Sequence, residues 1–216
     1  MIILGLPFIA AALLWNKLPA RMPIHWGLTN RPDGFASKPL ATLLLPCINL
    51  ALAALMLMST RLDPRFSTYD DDTQASLRRT FAAMRLAITL FFSAVALVMI
   101  ASPFYPAIRV PALIIPATGL LLMILGNLMT KLRPNWFCGI RTPWTLQSKE
   151  IWTKTHRVGG RLMMAGGACI FLFGILLPVV WLVFCVVLPA IAIMSIVPMV
   201  YSYLLFARSR PAKRRA

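Results

Sequence analysis

Acidic residues are scarce: the 216-residue chain holds six Asp and Glu against 22 Lys and Arg. Charged residues of both signs reach only 13%, where an average soluble domain carries about a quarter. A chain this poor in charge cannot clothe a soluble surface, which excludes a soluble enzyme and a disordered tail. Cysteine is sparse as well. Cys47, Cys138, Cys169 and Cys185 form no CxxC pair and three of them lie in apolar runs, so neither a disulfide framework nor a zinc site is supported. HExxH, GxSxG and P-loop patterns are missing, as is any aromatic-interleaved basic groove of the kind that reads nucleic acid. No cofactor, no metal and no direct nucleic-acid contact is expected.

What remains is apolar sequence, 59% of the residues with a mean hydropathy of +0.77. That composition defines an integral membrane protein. Charge-free stretches at Met1–Trp15, Pro39–Thr60, Met84–Pro106 and Val110–Thr130 give four spans. The first is short and has no basic n-region, so a retained helix is expected rather than a signal peptide. Leu162 to Ala207 carries no charge at all over forty-six residues. As one helix it would measure about 69 Å, twice a bilayer core of about 30 Å, so it must fold back around Pro178–Trp181. The expected fold is all-α, a polytopic bundle of about six membrane-spanning helices. It divides into an N-terminal helix pair, 1–60, and a four-helix core with a basic C-terminal tail, 61–216.

Six spans gather both termini and the loops 61–83 and 131–161 on one side, with seventeen of the Lys and Arg residues. The other side holds five: Lys17, Arg21, Arg31, Lys38 and Arg109. The positive-inside bias places the termini and the 131–161 loop in the cytoplasm, and the 16–38 loop outside. The tail RSRPAKRRA reads as an anchor on anionic headgroups. Gly119 with Gly126, Gly159 with Gly166 and Gly160 with Gly167 recur at heptad spacing, as helices that pack closely in lipid require. Pro116, Pro189 and Pro198 should kink or locally break their spans. Asp70-Asp71-Asp72 after Thr68, a possible N-cap, should complement a helix dipole.

Two loops carry the polar side chains. Asn16–Lys38 has Pro19, Pro23 and Pro32, with Pro39 beyond it, and reads as stiff and non-helical. Pro32-Asp33-Gly34 suggests a turn in which Gly34 supplies a positive φ. His25, Trp26, Asp33, Gly34 and Lys38 then form an outward ligand-binding surface. In the second loop, Pro134 and Asn135 end a helix, and Thr145 or Ser148 caps a new one with Glu150 at its positive end. Lys149, Trp152 and His156 fall near one face, and Trp136, Trp144 and Trp152 recur every eight residues. This pattern suggests an amphipathic segment in the inner interface that enters the bilayer at Gly160.

LPARMPIHWGLTNRPDGFASK resembles the short domain of unknown function that precedes SdpI-like cores. LGNLMTKLRPNWFCGIRTPWTLQSKEIWTKTHRVGG closely resembles the core motif of the SdpI (sporulation-delay immunity) family. His25, Asp33, Gly34 and Lys38 match the first motif. Asn127, Asn135, Gly139, Arg141, Thr142, Trp144, Trp152, His156 and Arg157 match the second, as an inner motif and signalling surface. The resemblance implies a bacterial inner-membrane protein that recognises an antimicrobial peptide or related envelope signal, protects the cell, and relays to a cytoplasmic regulator. It implies no catalytic residue. A membrane enzyme acting on a lipid or peptide and a small-solute transporter are the rival classes, and the near absence of ionisable groups within the spans disfavours transport.

Overall fold

The computed structural model describes residues 2–29 and 31–209. It begins with a short apolar helix, α1 (Ile2–Leu14), followed by a β-hairpin of β1 (Arg21–Trp26) and β2 (Pro32–Ser37). Then come α2 (Lys38–Leu62), α3 (Asp71–Ala101), α4 (Val110–Met129), a short α5 (Pro143–Gln147), α6 (Lys149–Leu176) and α7 (Val179–Ser209). Among the described residues five helices, α2, α3, α4, α6 and α7, are long and apolar enough to cross a membrane. With α1, which packs on α2 and α3, the bundle has six apolar helices. The chain folds back where expected: α6 stops at Leu176, and Pro178 precedes α7.

Local chemistry explains the boundaries. Asp70, not Thr68, caps α3 by accepting the Thr73 N–H at 2.8 Å, and Asp71 and Asp72 fill the first turn. Ser148 caps α6, while Thr142 and Thr145 cap α5 reciprocally. Pro116 and Pro198 are carried inside α4 and α7, and a single π-helical turn at Val183–Val187 comes just before Pro189. Pro189 has no N–H to offer Cys185, so widening the preceding turn reroutes that carbonyl's bonding.

The α4–α6 contact is built on glycine. An added Cβ at Gly126 would sit 2.7 Å from the Gly160 carbonyl oxygen, and one at Gly119 would sit 2.6 Å from that of Gly167. The two backbones touch at points seven residues apart on each helix. A second stripe on α6 faces α7, where Gly166 meets Met194 and Ala190. In lipid such close packing replaces the hydrophobic effect as the source of helix association. Elsewhere in the bundle, Asn49 is buried. Its amide donates to the Thr89 carbonyl and to Ser93 Oγ, and Ser93 donates to the Ile3 carbonyl, tying α1, α2 and α3 together.

Two expectations are corrected. The segment before Gly160 is not a separate element, because α6 runs unbroken from Lys149 through Gly159 and Gly160. Those glycines are close-packing positions within it. The 16–38 segment is non-helical, as read, but it pairs into a hairpin. Both strands of a two-stranded sheet are edges, so Pro23 and Pro32 are tolerated. Met22 and Ala36 point inward from paired positions and pack with Ala11, Leu18, Ala41 and Ile100, which seats the hairpin on one end of the bundle.

Candidate functional site

The hairpin brings His25 and Asp33 together, with Nδ1 and Oδ1 2.5 Å apart. Two glycines make this possible. Gly34 lies in β2 opposite His25, where a side chain would meet the His25 Cβ at 2.8 Å. At Gly27 a Cβ would come within 2.5 Å of Asp33 Oδ2. Gly34 therefore serves close strand approach, and Gly139 is the positive-φ glycine among the described residues. The His25 and Asp33 side chains are 71% and 54% exposed, so the pair displays polar groups more than it stabilises the fold. Lys38 turns away from them. Its ammonium donates to the Trp15 carbonyl at 3.0 Å and lies 4.9 Å from the Trp15 ring centre, fastening the end of α1 to the start of α2.

Beneath His25 and Trp26 the hairpin roofs a cavity of 350 Å³, walled by the ends of α3, α4 and α7. A second cavity of 430 Å³, almost wholly apolar, runs between α3 and α4. Val95 and Ile114 line both. The two cavities thus adjoin at these side chains, one under the polar hairpin and the other along the apolar flank of the bundle, past Leu90, Phe91 and Leu121.

At the opposite end, residues 131–148 are held by buried polar contacts. His156 is wholly buried on α6 and stacks on Trp152 with ring centres 4.0 Å apart. Its Nε2 accepts the Ile140 N–H at 2.9 Å, which leaves Nδ1–H to donate to the Trp152 carbonyl at 2.8 Å. This bonding fits the neutral ring, since a protonated Nε2 would face a donor. Gly139, at φ 119°, lets the chain pass against the ring, where any Cβ would collide with Nε2. The Trp152 indole donates to the Leu132 carbonyl at 3.1 Å. Asn135 is buried and accepts the Phe137 and Cys138 N–H groups while donating to the Arg133 carbonyl. The Trp144 indole donates to Ser202 Oγ on α7 at 2.5 Å, and Thr142 lies 3.4 Å from the same hydroxyl.

The motif residues divide accordingly. Asn135, Gly139, Thr142, Trp144, Trp152 and His156 fix the shape of this segment, while Asn127, Arg141 and Arg157 are exposed, Arg157 at the edge of a surface cavity. Trp136 is half exposed and Trp152 is completely buried, so the three tryptophans do not form one interfacial belt. Four partners escaped the reading of the sequence. Asp63 accepts the Trp136 N–H at 2.8 Å and the Arg65 N–H at 2.9 Å. Tyr69 donates to the Pro134 carbonyl, Arg65 to the Leu146 carbonyl, and Ser202 receives Trp144. A lone carboxylate among basic residues just past a span was the available signal for Asp63. Among the described residues no three His, Cys, Asp or Glu side chains could hold a metal ion. Burial pushes the Cys138 thiol up, away from the thiolate that a nucleophile needs.

These features define a polytopic helical membrane protein with an end-on hairpin and, at the other end, a motif segment clasped by α6 and α7. Residues 131–202, from the start of that segment to Ser202, match the SdpI/YfhL protein family, and residues 2–50 match a domain of unknown function, DUF1648. The chain is 27% identical over 167 residues to the Immunity protein SdpI of Bacillus subtilis (strain 168), covering 77% of this chain and 75% of that protein. These similarities, with the apolar helices, support a bacterial membrane protein whose 131–202 region resembles the SdpI/YfhL family. No solved structure matches the chain.

Proposed function

We propose that this protein is a membrane immunity factor that takes an antimicrobial peptide at the groove beneath its hairpin. The observation that carries this reading is that the two cavities adjoin, with Val95 and Ile114 lining both. A membrane-active peptide presents polar and apolar surfaces together. The exposed His25–Asp33 pair offers it hydrogen-bonding partners at the mouth, and the α3–α4 groove offers apolar cover below. The similarity to an immunity protein supports the same reading. Charge in the sequence supports the orientation in which the hairpin faces outward: seventeen of the 22 Lys and Arg residues fall in the termini and loops assigned to the cytoplasm.

α4 supplies the route for a relay to a cytoplasmic regulator. It lines the groove, packs on α6 through glycine, and leads directly into the clasped 131–148 segment. A ligand that prefers one placement of α4 biases the surface presented by Arg141 and its neighbours. The test is survival of a sensitive bacterium under a panel of secreted antimicrobial peptides. Expression of the wild-type chain should protect against at least one of them. Asp33→Ala should lose most of that protection at unchanged protein level, and undiminished protection would refute the role given to the hairpin.

A further inference from the structure

At the basic end a separate cavity of 270 Å³ opens between the start of α3, the end of α4 and the first turns of α6. Lys131, Arg133 and Arg157 line it together with Thr73, Ser76, Thr130 and Thr153, over a floor of buried Leu77 and Leu132. No carboxylate lines it. The chain's six acids are engaged or placed elsewhere. Asp33 pairs with His25, Glu150 pairs with Lys154, Asp63 takes backbone N–H groups, Asp70 caps α3, and Asp71 and Asp72 occupy the first turn of that helix. Three cationic residues thus line one concavity that has no carboxylate in its wall, and Asp70 beside it is committed to the N–H and hydroxyl of Thr73.

Residues that only anchor a helix at the headgroups gain by spreading apart, because like charges repel. Convergence in a cavity is the opposite arrangement, and it is relieved by a bound anion. The hydroxyls refine the chemistry. Thr73, Thr130 and Thr153 donate to Asp70, the Asn127 carbonyl and the Lys149 carbonyl, so their protons are committed. The free donors are those of the two guanidiniums, the ammonium and Ser76, which suits a ligand made only of acceptors. At about 30 Å³ per water the space admits a phosphate with part of its hydration shell. Arginine forks match phosphate oxygens in pairs.

We infer that this cavity is a binding site for a phosphate group, held by Arg133, Arg157 and Lys131. The group belongs either to the headgroup of an anionic phospholipid or to free phosphate. The inference does not depend on the immunity reading. The full chain, purified in a neutral detergent, is titrated by native mass spectrometry with dioctanoyl-phosphatidylglycerol and, separately, with inorganic phosphate. One equivalent of one of these should bind saturably. Arg133→Gln with Arg157→Gln should weaken it by at least about tenfold, as expected on losing charge-assisted contacts. Arg79→Gln with Lys149→Gln removes the same charge from exposed positions outside the cavity and should leave binding within about twofold. If the first double variant does not fold, Lys131→Gln takes its place, with a smaller loss expected. Lipid binding alone identifies a headgroup site, and binding of phosphate identifies a soluble ligand. Equal losses in the two double variants, or no saturable binding of either probe, would overturn the inference.

Discussion

Asp63 is the buried carboxylate among six, and each of its oxygens takes a backbone N–H from a different stretch of chain. It links the α2–α3 connection to the segment after α4, seventy-three residues away. Replacing it with alanine strands two donors, and each buried donor left unpaired costs about 1–3 kcal/mol. Asp63→Ala should therefore lower the thermal unfolding midpoint in detergent clearly. Asp63→Asn, which retains one acceptor oxygen, should lower it less, and equal melting of all three proteins would contradict the role. At this scale the sequence was partly legible. Trp152 and His156 were placed on one face from their spacing, and they do stack. Their burial was not legible, because a polar ring next to Lys149 and Arg157 reads as solvated until Ile140 is seen to fold over it. For Asp63 the only local signal was its place among basic residues just past a span, and its partner Trp136 lies beyond two further helices.

Among the helices, the closest approach is α4 against α6. Gly160→Ala would put a Cβ 2.5 Å from the Gly126 carbonyl oxygen, and backbone cannot yield as a flexible side chain does. Overpacking of this kind costs about 1–3 kcal/mol. Gly5→Ala, with nothing within 4 Å of the new methyl, should be silent in the same melting experiment. Equal melting of both variants would show that the α4–α6 interface has more slack than its geometry indicates. The heptad glycines announced close packing in the sequence, although their pairing, Gly126 with Gly160 and Gly119 with Gly167, needed the fold. Gly159 and Gly160 also misled. After a charged stretch they suggested the start of a spanning helix, whereas α6 begins a full ten residues earlier. The hairpin was missed for a related reason. Prolines argue against strands in a wide sheet, and this sheet consists of edges only.

Across the whole molecule, chemistry is segregated by end. The hairpin end presents a polar pair above an apolar cavity, and the basic end presents a clasped motif segment with a cationic cavity beside it. The spans, the fold-back at Pro178 and the charge asymmetry were legible because hydropathy and basic residues act over whole segments. The adjoining of the two cavities was not, since Val95 and Ile114 are ordinary apolar residues whose meeting depends on how α3 and α4 cross. That meeting is the most exposed point of the account. The decisive measurement is the survival of sensitive cells expressing Ile114→Trp under a peptide against which the wild-type chain protects, with Ile193→Trp on the outward face of α7 as the companion variant. The indole at position 114 should block the junction of the two cavities and abolish protection at normal protein level, while the one at 193 leaves protection intact. Full protection by Ile114→Trp would show that the peptide does not use this junction.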